Sequence, residues 1–183
     1  MNIRVNQKLP NFIGQSHDGQ AFDLSKYAGK NNIVLYFYPK DDTPGCTLEG
    51  IEFSELNKEF KKQNTLVFGM SRDGADSHKR FCNKNNIYLP LLSDVEGEYG
   101  KRLGILKETG GFMRTTILIG RDGKIKHIWE NVKVNGHAAE VLSKVKELEH
   151  QAQKKLSEGK DLGSTRRSYT KPGQKASSKS TFK

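Results

Sequence analysis

Residues 33–46 read IVLYFYPKDDTPGC: a run of apolar and aromatic residues from Ile33 to Tyr38, then a loop from Pro39 to Cys46. A short continuous run of strand formers predicts a strand buried on both faces, the kind found inside α/β sheets. The stretch TLVFGMS, Thr65 to Ser71, has the same character. Between them Phe53, Leu56 and Phe60 recur at helical spacing, with Leu48 and Ile51 one turn earlier and Glu and Lys on the other face. The spacing predicts a helix over 47–63, and strand, helix, strand in that order predicts a parallel pair joined by a crossover.

Outward from this unit, a second helix is expected over about 74–85 and a strand over 87–92 around Pro90. The runs TTILI (115–119) and KIKHIW (124–129) flank Arg121, Asp122 and Gly123, and Asp-Gly between alternating runs signals a hairpin. A smaller hairpin is expected over 12–24, around His17-Asp18-Gly19. A last helix, about 137–156, places Ala138, Val141, Leu142, Val145 and Leu148 along one face, suited to covering the sheet. These elements predict an α/β sandwich with a mixed central sheet, spanning residues 1–156. Beyond Leu156 the chain mixes Gly, Ser, Lys and Pro with few apolar residues, so 157–183 is expected to be a disordered, basic, low-complexity tail.

The chain has 183 residues, enough for one sizeable core. Its formal charge is +10, but residues 151–183 hold nine Lys or Arg against two acids, so that segment carries about +7 of it. A basic balance concentrated at one end says little about the surface of the folded part. Arg166, Arg167, Lys171, Lys175 and Lys179 of the tail also lack aromatic interleaving, apart from Tyr169, so nucleic acid is not an expected partner. No apolar run reaches the roughly 18 residues needed to span a bilayer, and MNIRVNQKLP lacks the apolar core of a secretory signal. A cytoplasmic protein without membrane contact is expected.

Cys46 and Cys82 are the only cysteines. They do not form C-x-x-C, and no Cys and His cluster has zinc-finger spacing, so neither a metal nor a cofactor is expected. His17, His78, His127, His137 and His150 are scattered, and His78 reads as an exposed helix residue rather than a base; Trp129 reads as core or rim packing. Cys46 is different, because it lies in a Pro- and Gly-containing loop just before the first crossover helix. Unpaired backbone N–H groups and the positive end of a helix dipole stabilise a thiolate there.

The string YPKDDTPGCTLEG matches P-x-x-x-T-x-x-C, the signature of peroxiredoxins, and its D-x-T-P-G-C-T form resembles the bacterioferritin comigratory, or Q-type, subgroup. The likeness extends through SRDGADSHKRFCNKNNIYLPLLSD, GGFMRTTILIGRDGKI and WENVKVNGHAAEVL, covering roughly residues 5–150. The resemblance implies a thioredoxin-like, three-layer fold and a thiol peroxidase acting on hydrogen peroxide and organic hydroperoxides, and it favours a monomer. Cys46 would be the peroxidatic thiol and Pro39 its shield. Thr43 and the Cys46 N–H would hold the peroxide oxygens, with Arg114 beside the sulfur. Read without the family, Pro39 ends a strand, Thr43 belongs to a turn, and Arg114 is a solvated charge. Glu49 is polar and near the site in relatives, or else supports the first helical turn.

Oxidation of Cys46 leaves a sulfenic acid that needs a second thiol. Many Q-type relatives carry it five residues on, where this chain has Ile51. Other members resemble this chain in placing it on the next helix, so the resemblance implies a resolving role for Cys82, an intramolecular Cys46–Cys82 disulfide, and recycling by thioredoxin or a similar dithiol protein. A buried structural role for Cys82 stays open, as does a non-enzymatic reading of the whole chain as a redox-sensing or chaperone-like binding module.

Overall fold

A computed structural model describes residues 1–164, in which the central sheet has five strands in the order β5-β4-β3-β6-β7. In chain order the elements are β1 (Ile13–Gln15), β2 (Ala21–Asp23), a short 3-10 turn (Leu24–Tyr27), β3 (Asn32–Phe37), α1 (Pro44–Glu55), α2 (Asn57–Lys62), β4 (Thr65–Ser71), α3 (Ala75–Asn85), β5 (Leu91–Ser93), α4 (Glu98–Leu103), β6 (Thr115–Ile119), β7 (Ile125–Trp129) and α5 (His137–Ser164). The chain divides into two units, Met1–Glu147 and Leu148–Lys183, and the sheet lies wholly in the first.

Every residue of β3 is buried, as its unbroken apolar run requires. It pairs parallel with β4, from Asn32 against Thr65 to Phe37 against Met70, and antiparallel with β6 on its other side. The mixed sheet therefore follows the sequence expectation, with β6 and β7 as the antiparallel hairpin and β1 and β2 as the smaller one.

Alternation along β3 sorts the core into two layers. Ile33, Leu35 and Phe37 pack with Met70, Ile117, Phe22 and Phe112. Tyr36 points the other way and stacks on Phe53 of α1, ring centroids 4.7 Å apart, while Tyr38 meets Phe81 of α3 at 6.3 Å. The strand pairing puts Tyr36 opposite Gly69, where a Cβ would come within 2.7 Å of the Tyr36 ring and of Leu91. Glycine is required at that position because the tyrosine occupies the space a side chain would need.

Several boundaries differ from expectation. The crossover helix begins at Pro44 rather than Thr47, because proline supplies no N–H and its fixed φ suits a first helical position, with Thr43 as the N-cap residue. It is also two helices, since Leu56 leaves helical geometry (φ −91°, ψ 1°). The strand expected around Pro90 is confined to Leu91–Ser93, because proline offers no ladder N–H. Helix α4 has no counterpart in the sequence reading. His78, expected to be exposed, is fully buried. In the second unit α5 continues eight residues past Leu156, to Ser164, so the expected tail starts within a helix; residues 165–183 of it lie outside the described residues.

Candidate active site

The loop after β3 and the first turn of α1 position Cys46. Thr47 N–H gives the first helical bond, to the Thr43 carbonyl at 2.9 Å, so the preceding N–H groups of Gly45 and Cys46 have no intrahelical acceptor. The Thr43 side chain makes no cap bond; its hydroxyl donates to the Lys40 carbonyl at 3.0 Å, which holds the loop over the helix start. Cys46 is 1% exposed and Pro39 half-buried.

Arg114, just before β6, reaches across to this turn. Its Nη2 donates to Cys46 Sγ at 3.4 Å and its Nη1 to Glu49 Oε2 at 2.5 Å. A Cβ on Gly45 would sit 3.1 Å from Arg114 Nη2, so the glycine of TPGC leaves room for the guanidinium. The fork donates to two acceptors at once, a task for which a planar guanidinium is suited. Arg114 is held above its ordinary value: burial works against the charge, but Glu49 and Cys46 outweigh it.

Glu49 is the site residue that sequence reasoning underrated. It is 1% exposed, and burial pushes its carboxyl up to about 7 even though Arg114 opposes the shift. Its position one turn after Cys46 was the available signal, since residues three apart share a helix face.

A second polar group lies behind the loop. Asp41 accepts hydrogen bonds from Tyr38 Oη at 2.7 Å and Ser77 Oγ at 2.8 Å, and pairs with His78 Nδ1 at 2.8 Å. His78 Nε2 lies 3.0 Å from the Leu92 carbonyl. Burial pushes the Asp41 carboxyl up, but donation from His78, Tyr38 and Ser77 leaves it below its usual value. Lys84 reaches Asp42 at 3.5 Å, so three residues of α3, Ser77, His78 and Lys84, are tied to the loop that precedes Cys46.

Helix α3 carries Cys82, buried at 4% exposure. Both thiols are free. Burial, with Asp41 and Asp18 adding to it, pushes the Cys82 thiol up to about 12. Ionisation of Tyr36 is opposed by burial first and then by the charges of Glu49, Cys82 and Cys46. A cavity of about 760 Å³ has Cys82, Phe68 and Leu89 on its wall; Cys46 is not part of that wall. Among the described residues no group of His, Cys, Asp and Glu is arranged to hold a metal ion, and no helix is long and apolar enough to cross a membrane.

Pro39, Thr43, Cys46 and Arg114 all lie at the sheet end where β3 leaves and β6 enters, with Arg114 in contact with Cys46, whereas Cys82 is on a separate helix. Trp129 is half-buried, with Nε1 donating to Glu140 at 3.0 Å, a rim position.

Residues 5–128 match the AhpC/TSA family. The chain belongs to that family, as a peroxiredoxin of the Bcp type. It is 36% identical to peroxiredoxin Bcp of Bacillus subtilis over 155 residues, covering 81% of this chain and 98% of the relative. The peroxiredoxin Bcp of Xanthomonas campestris is 40% identical over 135 residues, covering 70% and 84%. Among solved structures, a cysteine-to-serine mutant of Xylella fastidiosa PrxQ superposes with a TM-score of 0.76 at 38% identity, covering 80% of this chain and 97% of that one. The Xanthomonas campestris bacterioferritin comigratory protein, whose structure concerns alkyl peroxide reduction, superposes at 0.72 and 35% identity, over 75% and 92%. The peroxiredoxin therefore has the thioredoxin-like fold of these relatives, and it is a thiol peroxidase.

Proposed function

We propose that Cys46 is the peroxidatic thiol and that it reduces hydrogen peroxide and alkyl hydroperoxides. The observation that carries this reading is the 3.4 Å contact from Arg114 Nη2 to Cys46 Sγ at the open end of a helix. The thiolate attacks the terminal peroxide oxygen and the O–O bond breaks. Sulfur is oxidised by two electrons to the sulfenic acid, and the departing oxygen takes a proton to leave as water or alcohol. Negative charge grows on the departing oxygen, and Arg114 and the free Cys46 N–H are the donors that stabilise it, joined by the Thr43 hydroxyl once it turns from the Lys40 carbonyl to the substrate. Pro39 closes the loop against water. The Xanthomonas campestris relative is described for alkyl peroxide reduction, which supports the alkyl substrate class.

Cys82 resolves the intermediate in this reading. Its thiol displaces hydroxide from the Cys46 sulfenic acid, giving a disulfide and water, and thioredoxin or a similar dithiol protein returns both to thiols. A disulfide needs Cα atoms within about 7 Å. Cys46 and Cys82 start buried on separate helices, and if the reduced fold holds their Cα atoms farther apart than this, α3, α1 or both unwind during the cycle. Until then burial keeps Cys82 protonated and unreactive. Two free thiols suit a reducing cytoplasm, and the chain works there as a monomer.

The test is mass spectrometry after one equivalent of hydrogen peroxide, denatured and unreduced, with C82S beside the natural chain. A two-dalton loss mapped to a Cys46–Cys82 link, with sulfenic acid trapped on Cys46 in C82S, is the expected result. A chain left with two free thiols would overturn the reading.

A further inference from the structure

Asp41 stands five residues before Cys46, and three side chains hold its carboxylate. Tyr38 Oη donates to Oδ1 at 2.7 Å, Ser77 Oγ donates to Oδ2 at 2.8 Å, and His78 Nδ1 lies 3.0 and 2.8 Å from the two oxygens. The Asp41 N–H donates in turn to Asp73 Oδ2 at 2.9 Å. Asp42, the next residue, has a φ of 60°, a left-handed conformation that costs a non-glycine residue free energy and persists where its surroundings fix it. From this turn the active-site loop is built. The Lys40 carbonyl accepts from the Thr43 hydroxyl, the Thr43 carbonyl accepts from the Thr47 N–H, and α1 begins. Where Asp41 is held therefore sets where the Cys46 sulfur and the open N–H groups before it lie.

We propose that His78, assisted by Ser77, is a positioning residue for the peroxide step: acting through Asp41, it fixes the loop that places Cys46, so Cys46 reacts fully only while α3 is folded. Tyr38 is three residues from Asp41 and belongs to the same chain segment, so its bond alone leaves the loop free to move with its own strand end. Ser77 and His78 are 36 and 37 residues away and tie the carboxylate to a second element. Lys84 adds little, because its pair with Asp42 is long and exposed. Helix α3 thus serves the peroxide step through His78 before it supplies Cys82.

The two ring nitrogens of His78 separate this role from simple packing. Nδ1 meets Asp41, and Nε2 meets the Leu92 carbonyl at 3.0 Å. In H78N the side-chain amide nitrogen stands where Nδ1 was and still donates to Asp41. In H78Q it stands where Nε2 was and donates to Leu92 instead.

The inference rests on Cys46 as the reactive thiol, and its test uses the full chain with C82S as parent, so that only the peroxide step is read. The rate of Cys46 sulfenic acid formation with hydrogen peroxide is followed by quenched-flow mass spectrometry. It is expected to stay within about twofold of the parent in H78N and to fall by about tenfold in H78Q, because reactivity is sensitive to sub-ångström placement. A rate in H78N no higher than that in H78Q overturns the proposal, since the two then differ in nothing that Asp41 transmits. S77A removes one donor at little cost to the core and should slow the step by about threefold. An unchanged rate in S77A overturns the role even where H78Q fails to fold. Hydrogen exchange supplies a readout without peroxide: the Thr47 amide, bonded to the Thr43 carbonyl, should exchange about tenfold faster in H78Q than in H78N. Equal exchange counts against the positioning of the loop. A parent that forms no sulfenic acid on Cys46 would sink the underlying reading, and the role in catalysis with it, while the exchange difference remained.

Discussion

Asp41 Oδ2 and His78 Nδ1 meet at 2.8 Å in the interior, with side-chain exposures of 2% and 0%. Asp41 belongs to the loop that leads into Cys46, and His78 to the helix that carries Cys82. Both ring nitrogens face acceptors, the Asp41 carboxylate and the Leu92 carbonyl, so the ring is fixed at both ends.

Removing one partner of such a pair leaves the other buried with too few hydrogen bonds. H78A is expected to lose about 3 kcal/mol of stability, read from urea unfolding of the reduced protein. Cys82 should also react faster with a thiol-alkylating reagent as α3 loosens. A urea midpoint equal to that of the natural chain would show that the pair contributes no net stability. Asp41 adds an acid limb: its folded value lies below its unfolded one, so its contribution is present above the ordinary carboxylate range and fades as pH falls through the lowered value.

Glu49 has the opposite sign. Its folded value of about 7 exceeds the ordinary 4.5, so the stability linked to its protonated form is complete below 4.5 and is lost as pH rises toward 7. That window corresponds to about 3 kcal/mol. E49Q removes the titration, and its stability relative to the natural chain should climb between pH 5 and pH 7.5. Parallel pH–stability curves for the two proteins would contradict the assignment.

Arg114 should govern chemistry more than folding. R114M removes the donor that lies 3.4 Å from Cys46 Sγ, and an expected loss of about 10²-fold in the rate of peroxide oxidation follows from losing one aimed donor. R114K retains the charge but not the fork, so it should recover only part of the rate. Full activity in R114M, with the fold intact by circular dichroism, would remove Arg114 from the reaction.

Gly45 offers a smaller displacement of the same group. In G45A the new methyl would lie 3.1 Å from Arg114 Nη2, so the guanidinium must give by a few tenths of an ångström. The peroxide reaction should slow by about tenfold with little change in stability, because catalytic rate is sensitive to sub-ångström placement. An unchanged rate would mean that the guanidinium tolerates the shift.

The parallel β3–β4 pair at the centre of the sheet could be read from IVLYFY and TLVFGMS, because unbroken apolar runs with a periodic helix between them have few other ways to satisfy their backbones. Asp122-Gly123 marked the β6–β7 turn for an equally local reason. The motif around Cys46 was legible too, since loop, helix start and thiol are contiguous. Helix α4 was not: six residues with Gly100 in the middle show no convincing period, and the glycine is there because a Cβ would overlap Phe112.

What the sequence by itself determined is the order of elements, the thiol at a helix start and the family to which both belong. Only the tertiary structure decided which charges are paired. His78 looked like a surface residue because its partner is far away in the chain, and nothing local to HKRFC announces Asp41. Glu49 looked like a helix-start acid until Arg114 arrived from a different strand end and the core closed over both. Burial and long-range pairing set protonation, and neither is a property of neighbouring residues in the chain.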